Sequence, residues 1–260
     1  MKYEITKLLR TVRTDGVGEA SRKVLRHVST VGSNLLSGTP GYYEVNMSLL
    51  ARKYDECAVI TPTMVSPAEI KYVTGSCHPR ERGHLDYTPY FKPREAKWDA
   101  VRFEEEVPYG TTKPGTWDRL ESRFEQLTMY RGVEQRYVDE RDWDETDYYL
   151  DLRDRFVQNG WPRDDAETLA MERCDRLELL HQRISSDGYQ SQKALNGHPL
   201  HEVTVNVSRD GELLYNCEGR HRLSIAKVLD VEEIPVLILV VHDKYDGSLG
   251  ARTAGTAADG

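Results

Sequence analysis

The chain has 260 residues, enough for one large domain or one compact domain with a sizeable extension. Asp and Glu (43) outnumber Lys and Arg (35), for a formal charge of −8. That balance argues against a broadly basic nucleic-acid coat but leaves room for a local basic patch. No apolar run reaches the roughly 18 residues of a membrane span; the longest, Ile234 to Val241, has strand length.

The basic residues are mostly Arg, 24 against 11 Lys. Acidity with Arg over Lys suits a salt-adapted, halophile-type cytoplasm, as it does many mesophile proteins. Cys57, Cys77, Cys174 and Cys217 are scattered without a CxxC pair, so a reducing, cytoplasmic compartment is expected. Cys77-His78 beside His84 lacks two further ligands at short spacing, and no metal site is expected there.

Residues 1–37 carry seven Lys or Arg against three acids, net +4, so the rest of the −8 chain sums to −12. Tyr3, Ile5, Leu8, Leu9 and Val12 fall at helical spacing, and Ala20, Val24, Leu25 and Val28 start a second short amphipathic helix. No apolar stretch follows the positive charges, which excludes a signal peptide. Two readings stay open: a basic arm docking on anionic lipid, nucleic acid or a protein partner, or a pair of helices packed on the domain.

Residues 38–115 read as an irregular extension. Glu56–Ile60 resembles a strand, and then Pro62, Pro67, Pro79, Pro89, Pro93, Pro108 and Pro114 exclude helix. From Trp117 the pattern turns helical, giving a mainly helical region over 116–164. Leu120, Phe124, Leu127, Tyr130 and Val133 mark a first helix. Asp144 or Thr146 caps a second, which stops at Asn159-Gly160. Asp164-Asp165 caps a third that turns Leu169, Cys174, Leu177, Leu179, Leu180 and Ile184 inward and ends at Asp187-Gly188.

The last third changes period. His201 to Val207 alternates, Arg209-Asp210-Gly211 turns, and Glu212 to Cys217 returns as a hairpin partner. A helix over Arg220 to Leu229 and a buried strand over Ile234 to Val241 follow, and residues 243–260 read as a disordered tail. The fold class is therefore α+β.

One segment carries unusual chemistry. Glu218-Gly219-Arg220-His221-Arg222-Leu223 lies at a strand-to-helix junction. A first helical turn exposes unpaired N–H groups and the positive dipole end, where acids are preferred. Here Arg220, His221 and Arg222 stand there instead. A phosphate-bearing ligand resolves the conflict: Gly219 lets it approach, the N–H groups point at it, and guanidinium forks match its oxygens. The other resolution is internal, with Arg220 and Arg222 paired to acids such as Glu218 and His221 a half-buried imidazole.

The order of these elements, with Gly219-Arg220-His221-Arg222 at the junction and Ile234-Pro235-Val236 after the helix, resembles the ParB/sulfiredoxin-like (ParB N-terminal-like) domain over residues 165–242. Gly219, His221, Arg222, Ala226 and Lys227 fall on the ParB pattern Gly-Glu-Arg-Arg-x-Arg-Ala-Ala-Lys, with His221 in place of an Arg. Gly219, His221 and Arg222 match sulfiredoxin's Gly-Cys-His-Arg. The resemblance implies a nucleotide fold, binding ATP or CTP with Mg²⁺, with phosphoryl transfer or nucleotide hydrolysis as candidate reactions. Arg220 stands where sulfiredoxin has its nucleophilic Cys, so that chemistry is not expected. Asn-Pro-x-Gln-Pro-Arg and a helix-turn-helix domain are missing, so neither is centromere binding.

In this reading Gly219, Arg220, His221 and Arg222 bind phosphates, with Arg176 and Arg183, seven apart on one helix face, candidates to close the site. His221 shuttles a proton, and Glu218 positions water, a hydroxyl or Mg²⁺, unless it simply pairs with a neighbouring Arg. The alternative is a non-catalytic module that holds nucleic acid or a partner through the same turn and residues 1–37.

Overall fold

The computed structural model describes residues 36–53, 61–79, 85–94, 103, 105–119 and 122–247. Nearly all of the basic arm, the strand expected at Glu56–Ile60, His84 and the tail beyond residue 247 lie outside the described residues. The class is α+β. In chain order the elements are α1 (Tyr42–Lys53), β1 (Thr63–Val65), β2 (Ile70–Val73), β3 (Gly75–Pro79), β4 (Leu85–Pro89), β5 (Phe91–Pro93), β6 (Glu105–Val107) and β7 (Thr111–Lys113). There follow α2 (Thr128–Tyr137), α3 (Asp147–Gln158), α4 (Arg163–Asp187), β8 (Val203–Val207), β9 (Leu213–Tyr215), α5 (Arg220–Val228) and β10 (Ile234–His242).

A six-stranded mixed sheet in the order β1-β10-β8-β9-β2 is the centre, with β7 beside the last three residues of β10. β8 runs parallel to β10 and antiparallel to β9, as the hairpin pattern requires. β10 has neighbours on both edges and layers on both faces, which is why it reads as an almost unbroken apolar run. The register of β10 against β8 shifts between Ile238 and Val240. A buried amide chain repairs the break: Val240 N–H donates to Asn206 Oδ1 (3.1 Å), Asn206 Nδ2 to Asn216 Oδ1 (3.2 Å), and Asn216 Nδ2 to the Phe91 carbonyl (2.9 Å).

Two strands at the sheet's edges and β7 all come from residues 38–115, so that segment is not the irregular extension its composition suggested. α1 precedes the proline-rich stretch; from Pro62 on the prolines interrupt helix, and they space strands of three to five residues. Thr63–Val65 fits between Pro62 and Pro67, and Pro67 opens a single 3-10 turn leading into β2. The sheet that a domain of 165–242 would need is completed by residues 63–73 and 111–113.

α5 joins two cores. Leu223 and Ala226 pack on the sheet with Val203, Tyr215, Val236, Phe124 and Leu127. Ile225 faces the other way, into a helical layer of Met129, Val133, Tyr148, Cys174 and Leu177. α2 and α3 approach so closely that a Cβ on Gly132 would lie 2.2 Å from Tyr148 Cβ. The opposite sheet face carries Leu237 and Leu239 against Leu50, Phe91 and Tyr109.

Several helix boundaries follow the expected caps. Thr146 accepts from the Tyr149 N–H, and Gly160 and Gly188 take positive φ beyond the ends of α3 and α4. The helix expected from Trp117 to Val133 is instead a 3-10 turn at Phe124–Gln126 followed by α2, because Leu127 is extended between them (φ −65, ψ 135). Leu179 points outward, 56% exposed.

The turn of the β8–β9 hairpin is pinned by Asp118. Arg209 donates its backbone N–H and Nε to Asp118 Oδ2 (3.0 and 2.8 Å) and an Nη2 to Oδ1 (2.7 Å). Burial opposes the Asp118 charge, but the Arg209 bonds, with help from His242, prevail and hold the carboxyl at about 2. The carboxyl is thus more acidic folded than unfolded, so its contribution is complete above about pH 4 and fades as pH falls toward 2. Linkage puts it at about 2 kcal/mol. Urea denaturation at pH 6 and pH 2.5 should show that much less pH dependence in Asp118→Asn than in wild type; equal losses would reject the assignment.

Candidate functional site

The Gly219 turn is fixed by the backbone beneath it. Gly219 caps α5 with φ 78 and ψ 16, a left-handed conformation that glycine adopts without strain. A Cβ there would lie 2.8 Å from Val203 Cα and 2.7 Å from its Cγ2, so β8 leaves no room for a side chain. Thr204 N–H donates to the Glu218 carbonyl (3.2 Å), tying the approach to the same strand. Leu223 N–H is the first in the helix to bond back, to the Gly219 carbonyl (2.9 Å). The amides of the preceding turn take no part in the helix's own bonding, as anion binding at a helix start requires.

Around this junction the structure gathers cations and phenols. Arg220 acts electrostatically on Tyr87, Tyr148 and Tyr215, all of which burial makes weaker acids than usual. His221 is exposed, yet its ring is crowded, and that crowding, followed by the charges of Arg220 and Arg173, pushes its pKa well below the ordinary imidazole range. A neutral His221 at pH 7 follows. Arg173, from the middle of α4, acts on both His221 and Tyr148 and has no ion pair among the described residues. Nothing in the sequence marked it: it is one of many charged residues on a long helix, and only the packing of α4 on α5 brings it here.

Arg222 takes a different part from the one its position suggested. Its Nη1 donates to Glu202 Oε2 (3.2 Å), with side-chain exposures of 14% and 1%, and its guanidinium lies over the Tyr189 ring. Glu202 also accepts from the Gln192 N–H. Burial raises the Glu202 pKa against the pull of Arg222. The internal pairing weighed for Arg222 is thus realised, with Glu202 rather than Glu218 as partner. Arg222 fastens α5 to the start of β8 and positions the turn.

The remaining candidates separate. Glu218 is half-buried at the turn beside Arg220. Arg176 is exposed one turn beyond Arg173 and forms no ion pair among the described residues. Arg183 lines a different hollow, of about 660 Å³, with Tyr137, Glu178 and His181, and it is not among the charges acting on His221. Cys217 is held protonated by burial and then by Glu218, and it accepts from Asn216 Nδ2; it lies in the bend beyond β9, not in the strand expected to reach it, and is no nucleophile. Among the described residues, no three or more His, Cys, Asp and Glu side chains group as a metal site would require, and no helix is long and apolar enough to cross a membrane. Compared with known proteins, the chain matches no family model, no curated protein and no solved structure.

Proposed function

We propose that the chain binds a phosphate-bearing ligand of nucleotide size, ATP or CTP, at the start of α5, in a ParB/sulfiredoxin-like manner. The observation that carries this reading is the convergence of Arg220, Arg173 and His221 on a helix N-terminus whose first-turn amides face the same way. Arg220 and Arg173 add to burial in keeping the His221 imidazole neutral, and both cations, with the positive end of the dipole, favour an anion there. Gly219 and the following amides hold phosphate oxygens, and Arg220 and Arg173 neutralise their charge. Arg222, locked by Glu202, sets the position of the turn. Mg²⁺, where bound with the nucleotide, would supply further charge neutralisation, and Glu218 is the carboxylate at the turn suited to hold it.

If the site is catalytic, the reaction is phosphoryl transfer or nucleotide hydrolysis, with Glu218 orienting the water or hydroxyl and His221 handling a proton. The low pKa of His221 favours a second reading, a binding module without catalysis, because so weak a base takes up a proton poorly at neutral pH. The two readings share the anion site and differ in turnover. In the second, nucleic acid or a protein partner binds with steep salt dependence and needs residues 1–37.

Calorimetry of ATP, CTP and GTP with Mg²⁺ tests the shared claim. An arriving anion stabilises the His221 cation, so the imidazole pKa rises on binding. A group more basic in the complex takes up protons, so binding tightens as pH falls toward the raised pKa. The heat should then vary with the buffer's ionisation enthalpy, and less so in His221→Gln. The absence of heat with all three nucleotides would reject the proposal.

A further inference from the structure

The two ends of α5 are mismatched to its dipole in opposite senses. Cations crowd its N-terminus, while Asp230, Glu232 and Glu233 follow its C-terminus, where cations are the stabilising neighbours. Beyond that C-terminus lies an open groove of about 820 Å³, running between the helix end and the segment from β1 to the 3-10 turn. Its apolar floor includes Met64, 44% exposed, and the half-buried Tyr130 and Val231. β1 is the last strand of the sheet on this side, and no described strand pairs with its outer edge. Asp230, Glu232 and Glu233 are exposed on the rim and form no ion pair among the described residues. Lys227 is the one cation of the lining, and Glu125 already holds its Nζ at 2.8 Å.

We infer that this groove is the docking site of the chain's own basic amphipathic segment, residues 1–35. The segment has both properties the groove asks for. Its seven Lys and Arg against three acids give +4, in a chain whose remainder is −12. Tyr3, Ile5, Leu8, Leu9 and Val12, at helical spacing, supply apolar side chains for the floor, and Lys7, Arg10 and Arg13 lie among them to meet the rim. Thirty-five residues of chain can reach any point of a domain this size. A second copy of the same acidic surface would be repelled, which favours the segment over self-association through this face.

Limited trypsin digestion of the full chain, read by mass spectrometry, tests the assignment. In low salt the sites within residues 1–35 should be protected. Exposed ion pairs are each worth a fraction of a kcal/mol, so neutralising the rim in Asp230→Asn/Glu232→Gln/Glu233→Gln should speed their cleavage about tenfold with the melting temperature unchanged. High salt should do the same to wild type. Lys7→Gln/Arg10→Gln/Arg13→Gln approaches the contact from the other side. It should accelerate cleavage after Arg22, Lys23 and Arg26, and it keeps the test open should the rim variant not fold. Equal cleavage of wild type and both variants overturns the proposal. So does protection that fades on dilution, which means docking on a second copy, or protection that appears only with added RNA or anionic vesicles.

Discussion

Arg222→Ala is expected to lower the free energy of unfolding by about 3–5 kcal/mol, the usual consequence of removing one partner of a buried ion pair. The reason is what it leaves behind. Glu202 is 1% exposed, and without Arg222 its carboxylate retains the Gln192 N–H but no counter-charge. Its pKa, already raised by burial, would rise further, so the variant's deficit should grow as pH increases and shrink as Glu202 takes up a proton. Removing both charges tells the pair from the penalty: Arg222→Met/Glu202→Leu should recover most of the loss, since apolar replacements of buried pairs are often neutral or better. Urea denaturation of the two variants at pH 5 and pH 8 measures both effects. A stability loss below about 1 kcal/mol for Arg222→Ala, typical of an exposed pair, would contradict the assignment. Loss of ligand binding in that variant would therefore reflect a displaced turn as readily as a missing contact.

The part of the molecule that could be read from the sequence is the part whose signals are local. The hairpin, α5 and β10 follow from alternation, a Gly-containing turn and an apolar run, each completed within ten residues. α2 shows where periodicity fails. Phe124, Leu127, Tyr130 and Val133 keep helical spacing, yet Leu127 is extended, and one residue of extended backbone leaves no trace in the apolar pattern. In residues 38–115 the strands are only three to five residues long and their partners lie up to 173 positions away, as Thr63 opposite Val236 shows. The functional site divides in the same way. Gly219, Arg220 and His221 were legible because a cationic first turn is wrong for a helix unless something compensates it. That Arg222 is compensated internally, by a single acid twenty residues upstream, could not be seen. Nor could Arg173, whose place depends on how two helices pack.

Arg173 and Arg220 give the sharpest test of the anion site, because both act on His221 at the start of α5. Arg220→Gln/Arg173→Gln should leave the fold intact, since Arg173 is exposed and Arg220 half-buried. Charge-assisted hydrogen bonds contribute about 1.5–3 kcal/mol each, so losing two should weaken nucleotide binding by at least a hundredfold. The His221 pKa should move at the same time. With both cations gone its depression should lessen, and the imidazole should titrate closer to its ordinary range in the NMR spectrum of the free protein. That shift separates a functional cluster from a solvated charge face: cations that merely share a surface would leave both the titration of His221 and the affinity unchanged. A variant that binds nucleotide as tightly as wild type, with His221 still depressed, would remove Arg173 and Arg220 from the site and leave the helix amides alone to account for any anion bound there.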